Sequence, residues 1–189
     1  MTLLVIGLVL FLGAHSISIF ASAPRAALIA RIGPGPWKGI YSVVSLAGFV
    51  LLIMGYAAAR TAPPLWSPPP GAVHAAASLV LLGFILNAAA YWPGNHIKVA
   101  VRDPMVLGVL FWAGGHLLVK SSPPALALFG GFLVWATVDF VSSRMRPAAP
   151  AGPRPRLVNT IGVVVLGSLL FAVFAFYLHG VLFGVRPFG

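Results

Sequence analysis

The sequence contains no cysteine and only two acidic residues among its 189 positions. Without cysteine the chain cannot form disulfides, thiolate metal sites, iron–sulfur clusters or c-type haem attachments. It has no paired carboxylates and no H-E-x-x-H or G-x-S-x-G motif, which argues against a hydrolase or a zinc protease. Charged residues make up 7% of the chain, against about 25% in an average soluble domain. This scarcity excludes a soluble globule and a disordered chain.

Apolar residues make up 60% of the sequence, and Pro, Gly and Arg divide them into six candidate spans. These spans cover residues 3–22, 39–59, 73–92, 104–119, 124–141 and 157–183. Most are close to the roughly 20 residues that cross a hydrocarbon core. Their continuous apolar character differs from the alternation typical of β-barrel strands. The sequence therefore predicts an all-α, polytopic transmembrane helix bundle of about six helices.

The twelve Lys and Arg residues are unevenly distributed between the connections. Nine fall in the first, third and fifth connections: Arg25, Arg31, Lys38, Lys98, Arg102, Arg144, Arg146, Arg154 and Arg156. Three fall in the others or near the C-terminus: Arg60, Lys120 and Arg186. Since cytoplasmic loops carry an excess of Lys and Arg, both termini are predicted to be non-cytoplasmic. Basic residues scattered between apolar runs indicate contact with anionic membrane lipids and not with nucleic acid.

The pattern also predicts three segments along the chain. Residues 1–145 form a five-helix membrane core, residues 146–156 form a Pro- and Arg-rich cytoplasmic linker, and residues 157–189 carry a C-terminal transmembrane helix. Gly180-x-x-x-Gly184 in the last segment indicates either one close helix contact or a homo-oligomer interface.

Two histidines lie well within predicted spans, where a polar side chain is costly, whereas His74 and His179 fall at predicted outer-face ends of helices. His15 interrupts the first span, and His116 follows Gly114-Gly115 in the fourth. Each is either a neutral ring hydrogen-bonded to a neighbouring helix, or an axial haem ligand or proton carrier. The two glycines remove bulk beside His116, which makes room for either a close helix or a flat cofactor.

Four further polar residues near the predicted cytoplasmic side are pocket candidates. Asn95 and His96 either cap a turn at the membrane interface or line the mouth of a cavity. Arg102 precedes Asp103-Pro104, which is a sound helix start. Asp139 needs a partner such as Arg102, Arg144 or a histidine, as a structural ion pair or as part of a functional site.

The sequence resembles the NnrU family over about residues 1–145. The motifs that carry this resemblance are His15-Ser16, Gly35-Pro36-Trp37-Lys38-Gly39 with Tyr41-Ser42, Tyr91-x-Pro93-Gly94-Asn95-His96-Ile97-Lys98, Arg102-x-Pro104-Met105-x-Leu107-Gly108 and Gly115-His116-Leu117. The Pro-Gly-Asn-His-Ile-Lys block is the most specific of them.

The resemblance implies a multi-pass protein of the bacterial inner membrane that supports nitrite and nitric oxide reduction or a related redox process. NnrU proteins are similar to 15-cis-zeta-carotene isomerase, which carries haem b on histidines. This similarity implies haem b on His15 and His116 and a hydrophobic ligand, and the association with nitrite and nitric oxide reduction implies a reductase partner. Two alternatives stay open. One is a haem-dependent isomerase of a polyene, with an apolar slot formed by the glycine-rich faces near Gly108, Gly114, Gly115, Gly130 and Gly131. The other is a small-molecule transporter. Whether the protein is an enzyme is therefore also open.

Overall fold

The computed structural model describes residues 1–146 and 152–188. Within these ranges every regular element is helical, which confirms the predicted all-α fold class. Residues 147–151 of the predicted linker lie outside the described residues. The division into a core, a linker and a C-terminal helix stays a prediction, as does the orientation of the termini.

Five helices or helical runs are long and apolar enough to cross a membrane, and a sixth apolar helix is shorter. The elements are α1 (Thr2–Phe20), α2 (Ser22–Ile32), α3 (Pro34–Ala59), α4 (Ala72–Tyr91), α5 (His96–Val101), α6 (Pro104–Val119), α7 (Pro123–Met145), α8 (Leu157–Val173), a π-helical turn (Phe174–Leu178) and α9 (His179–Phe183). The shorter apolar helix is α6, whose 16 residues extend about 24 Å. The chain is thus a multi-pass membrane protein in the part that the structure describes.

The described residues divide into two compact units. Unit 1 comprises Met1–Ser67 and Lys120–Ser142, and therefore holds α1, α2, α3 and most of α7. Unit 2 comprises Pro68–Val119 and Ser143–Gly189, and holds α4, α5, α6 and the helices after residue 157.

In unit 1, glycines bring the backbones of α1 and α3 into direct contact. A Cβ at Gly7 would lie 2.5 Å from the Leu52 nitrogen, and one at Gly48 would lie 2.7 Å from the Phe11 nitrogen. A Cβ at Gly55 would clash with the backbone of Leu4. Small residues allow this approach, which is how membrane helices gain packing energy without a hydrophobic driving force between them.

In unit 2, α4 is the central helix. Its Gly83 packs on Gly108 of α6, where each added Cβ would lie 3.0 Å from the other residue's carbonyl oxygen. On the other side, Gly167 of α8 packs on Ile85, since a Cβ there would lie 2.5 Å from the Ile85 Cα. The C-terminal span is therefore held against α4 by a close backbone contact.

Candidate functional site

His15 lies on α1 of unit 1, five residues before the helix ends at Phe20. Its Nδ1 is 2.7 Å from the carbonyl oxygen of Phe11, one turn earlier. Because a carbonyl oxygen can only accept, Nδ1 carries the ring proton and donates it. The lone pair of the neutral ring therefore lies on Nε2. Metal-ligating histidines have this arrangement, with one nitrogen donating to a carbonyl and the other directed to the metal.

Three aromatic rings from three helices lie around the His15 imidazole. The ring centroids of Phe11, Tyr41 and Trp135 are 4.3, 5.4 and 6.0 Å from that of His15, and the Trp135 ring is perpendicular to it. These rings belong to α1, α3 and α7. The imidazole therefore faces neighbouring helices of unit 1. Both interpretations of His15, as a structural residue and as a ligand or proton carrier, require this placement.

Two buried donors in the same part of unit 1 have no hydrogen-bond partner among the described residues. They are the Ser45 hydroxyl and the Trp135 indole nitrogen. Ser45 lies on α3 between Tyr41 and Phe49, whose rings contact His15 and Phe11 respectively. Each unsatisfied buried donor costs about 1–3 kcal/mol. The junction of α1, α3 and α7 therefore holds two buried donors that a polar ligand atom or a water molecule can satisfy.

His116 repeats the local arrangement of His15 in unit 2. Its Nδ1 is 2.8 Å from the carbonyl oxygen of Trp112, one turn earlier, and the Trp112 ring centroid is 5.3 Å from that of the imidazole. The ring proton is therefore on Nδ1 and the lone pair on Nε2 here too. His116 lies in the last turn of α6, close to the end of its helix.

The two glycines before His116 have different surroundings. A Cβ at Gly115 would lie 2.9 Å from the Ala76 carbonyl oxygen and 3.0 Å from Val80 Cγ2, both on α4. A Cβ at Gly114 would meet no atom within 4 Å. Gly115 thus permits a close helix contact, whereas Gly114, one residue earlier on α6, leaves open space.

The donor set of the two histidines fits haem b, because two neutral imidazoles are common axial haem ligands. No group of three or more His, Asp or Glu residues that could hold a metal ion occurs in the described part of the chain. His15 belongs to unit 1 and His116 to unit 2. That both bind one haem stays a prediction.

Asn95 and His96 connect α4, α5 and α8 within unit 2. The Asn95 side chain is 1% exposed; it accepts from the Lys98 N–H at 2.7 Å and donates to the Ala89 carbonyl at 3.0 Å. The His96 N–H donates to the Thr160 hydroxyl at 3.0 Å, and His96 Nδ1 is 2.9 Å from the same oxygen. Both residues therefore make structural contacts, with Asn95 as the cap of α5.

Arg102 and Asp139 lie in different units. Arg102 lines a cavity of about 180 Å³ together with Lys98 and Asp103. Asp139 lies on α7 of unit 1, one turn after Trp135. The predicted helix start after Arg102 is confirmed, since α6 begins at Pro104 and Leu107 N–H donates to the Asp103 carbonyl at 3.2 Å.

A larger groove of about 560 Å³ runs along α4 and α8 of unit 2. Phe84, Asn87, Leu166 and Leu170 contribute to its walls, and Tyr91, Trp92 and Pro93 lie at one end. The Asn87 amide donates to the Gly83 carbonyl at 2.9 Å, so its nitrogen is engaged within α4. The walls are otherwise mostly hydrocarbon and aromatic, as is usual for a site that takes an apolar ligand.

Sequence reasoning assigned no chemistry to Tyr41 or Trp135 and did not single out Ser45. From the sequence, Tyr41 is expected in the aromatic belt, and Trp135 is expected to be a core or lipid-facing residue. The spacing of Tyr41, Ser45 and Phe49 at four-residue intervals was an available signal, because such residues share one helix face. Which helix that face contacts depends on tertiary packing.

Comparison with known proteins supports one family. A family model described as NnrU protein matches residues 3–187. Neither the curated proteins nor the solved structures gave a match.

Proposed function

The chain belongs to the NnrU family, and on that premise we propose that it binds haem b through His15 and His116 and supports nitrite and nitric oxide reduction in a bacterial inner membrane. When bound, haem b supplies one-electron chemistry, with a potential set by its axial ligands and by burial. We further propose that the partner of the protein is a reductase, which uses this one-electron chemistry.

The observation that carries the proposal is the shared geometry of the two histidines. In each, the Nδ1 proton is donated to a carbonyl one turn earlier, at 2.7 Å for His15 and 2.8 Å for His116. This hydrogen bond fixes the tautomer and the ring orientation and raises the basicity of Nε2. The preceding aromatic ring packs on the imidazole in both cases.

The experiment is a visible spectrum of the protein purified in detergent from cells that make haem. We expect a Soret band that is lost or strongly reduced in His15→Ala and in His116→Ala. His74→Ala and His179→Ala are matched controls, because these histidines lie at the predicted outer ends of helices, and they should leave the band unchanged. A folded but colourless wild-type protein, or a band that survives both core substitutions, would overturn the haem proposal.

The isomerase alternative needs an apolar slot for a polyene. Of the glycines predicted to form this slot, Gly108 and Gly115 pack on α4, since Cβ atoms there would lie 2.6 Å from Asn87 Nδ2 and 2.9 Å from the Ala76 oxygen. Cβ atoms on Gly114 and Gly130 would meet no atom within 4 Å, so the slot stays a prediction. The observation that favours the alternative is the apolar groove along α4 and α8. Conversion of an added cis-polyene to a trans product under reducing conditions would support it. The transporter alternative stays a prediction.

A further inference from the structure

The groove along α4 and α8, here called the α4–α8 groove, is left uncovered by the described part of the protein. Tyr91 at its end is 79% exposed and Leu170 in its wall is 46% exposed. Both helices are among the membrane-spanning ones. An open apolar groove of about 560 Å³ along two such helices is suited to a hydrocarbon chain.

One end of the groove adjoins the most basic part of unit 2. Pro93 lines the groove, and the next residue, Gly94, accepts from the Arg156 N–H at 2.9 Å. The Arg154 carbonyl would lie 3.2 Å from a Cβ on Gly94. The segment before α8 is therefore held beside this end of the groove, and both of its arginines are exposed.

The charge around this end is strongly one-sided. Beside this end lie the segment of Arg154 and Arg156 and Lys98, whose Nζ donates to the carbonyl of Ala90, the residue before Tyr91. The third and fifth predicted connections of the chain carry six basic residues of unit 2 and one acid, Asp103. Tyr91 and Trp92, which lie at the same end of the groove, are residues that prefer the headgroup level of a membrane. Apolar walls that lead to aromatic residues and then to cations match an acyl chain, a glycerol backbone and a phosphate in that order.

From this arrangement we infer that unit 2 binds one anionic phospholipid, with an acyl chain in the α4–α8 groove and the headgroup at Arg154 and Arg156. The occupant is a lipid and not a soluble anion, because only a lipid has an acyl chain that can cover the apolar surface of the groove. The two arginines then select lipids whose headgroups are anionic. Clusters of Lys and Arg at the membrane surface favour anionic headgroups in this way. The inference does not depend on haem binding.

The test is competitive lipid binding to the full-length protein in detergent micelles, read by native mass spectrometry. Phosphatidylglycerol and phosphatidylcholine with the same acyl chains are supplied in equal amounts. We expect one retained phospholipid per chain, with a preference for phosphatidylglycerol on the order of tenfold. The double variant R154Q/R156Q should lose this preference, whereas R25Q/R31Q, which removes two basic residues of unit 1, should keep it.

Filling the groove tests the apolar half of the site. Leu166→Trp or Leu170→Trp should abolish retention of both lipids, because each residue lines the groove. Leu169→Trp is the matched control on the same helix, since Leu169 is exposed outside the groove. Circular dichroism of each variant establishes whether it is folded. If one of the two groove variants does not fold, the other is used for the lipid-binding measurement.

Three results would overturn the inference. The first is a preference for phosphatidylglycerol that persists unchanged in R154Q/R156Q. The second is equal lipid retention by the folded groove variants and by Leu169→Trp. The third is displacement of the phospholipid by an equimolar neutral carotenoid, which would assign the groove to a polyene.

Discussion

Arg102 has a backbone conformation that side chains rarely adopt. Its φ and ψ are 64° and −52°, and the Asp103 N–H donates to the Val101 carbonyl at 2.7 Å, so Arg102 is the central residue of a γ-turn. This form of the turn is rare and strained for a residue with a Cβ. The Arg144 guanidinium donates to the same Val101 carbonyl, and that bond helps to hold the turn between α5 and α6.

The strain at Arg102 predicts an unusual order of stabilities for two substitutions. Arg102→Ala removes the side chain and keeps the strain, whereas Arg102→Gly removes both. We expect the Gly variant to have a free energy of unfolding about 1 kcal/mol higher than that of the Ala variant, because a strained conformation of this kind costs roughly 1–3 kcal/mol. Denaturant titration of both proteins in the same detergent measures the difference. An Ala variant that is as stable as the Gly variant would show that the turn is not strained in the protein.

Local chemistry explains which residues could be predicted from the sequence. Asn95 was considered as a cap because asparagine accepts from backbone N–H groups at helix starts, and its side chain does accept from Lys98. Pro104 was predicted to begin a helix, and it does. The γ-turn at Arg102 had no signal, since arginine does not favour positive φ. The Nδ1 hydrogen bonds of His15 and His116 depend on side-chain rotamers, which a sequence does not specify.

At the scale of helices, hydropathy located the spans better than it located their ends. The second span was predicted to begin at residue 39, but α3 begins at Pro34, because proline is well tolerated in the first turn of a helix. The fifth span was predicted to end at residue 141, but α7 continues to Met145 through polar residues. The short helices α2 and α5 were not predicted. With 11 and 6 residues, they are too short and too polar to give an apolar pattern.

The contact between α4 and α6 predicts different effects for two adjacent glycines. Gly115→Ala should lower the free energy of unfolding by about 2 kcal/mol, since overpacking a close contact typically costs about 1–3 kcal/mol and the new Cβ would lie 2.9 Å from the Ala76 oxygen. Gly114→Ala should be neutral or stabilising by up to about 1 kcal/mol, because alanine is the better helix former and open space receives it. Unfolding of both variants in mixed micelles provides the comparison. Equal destabilisation by the two substitutions would contradict the close approach of α6 to α4.

For the whole molecule, the distribution of charge links the predicted topology to the proposed lipid site. Nine of the twelve basic residues fall in three alternate connections of the predicted topology, and two of these nine, Arg154 and Arg156, belong to the segment beside one end of the α4–α8 groove. If these connections are cytoplasmic, as the bias of Lys and Arg predicts, the proposed headgroup site lies in the cytoplasmic leaflet. This orientation is predicted from the charges of the connections alone. The packing contacts between helices give no information about which side of the membrane each connection faces.

The absence of cysteine from the sequence allows a direct test of orientation. Single cysteines at Thr61 and Arg186, which are exposed and predicted to be non-cytoplasmic, should react with a membrane-impermeant maleimide in intact cells. Cysteines at Arg31 and Arg154, also exposed, should react only after the membrane is permeabilised. The unsubstituted protein gives the background, which should be zero because no thiol is present. Labelling with the opposite pattern would reverse the topology and move the proposed headgroup site to the other leaflet, whereas labelling of all four positions in intact cells would contradict a spanning arrangement.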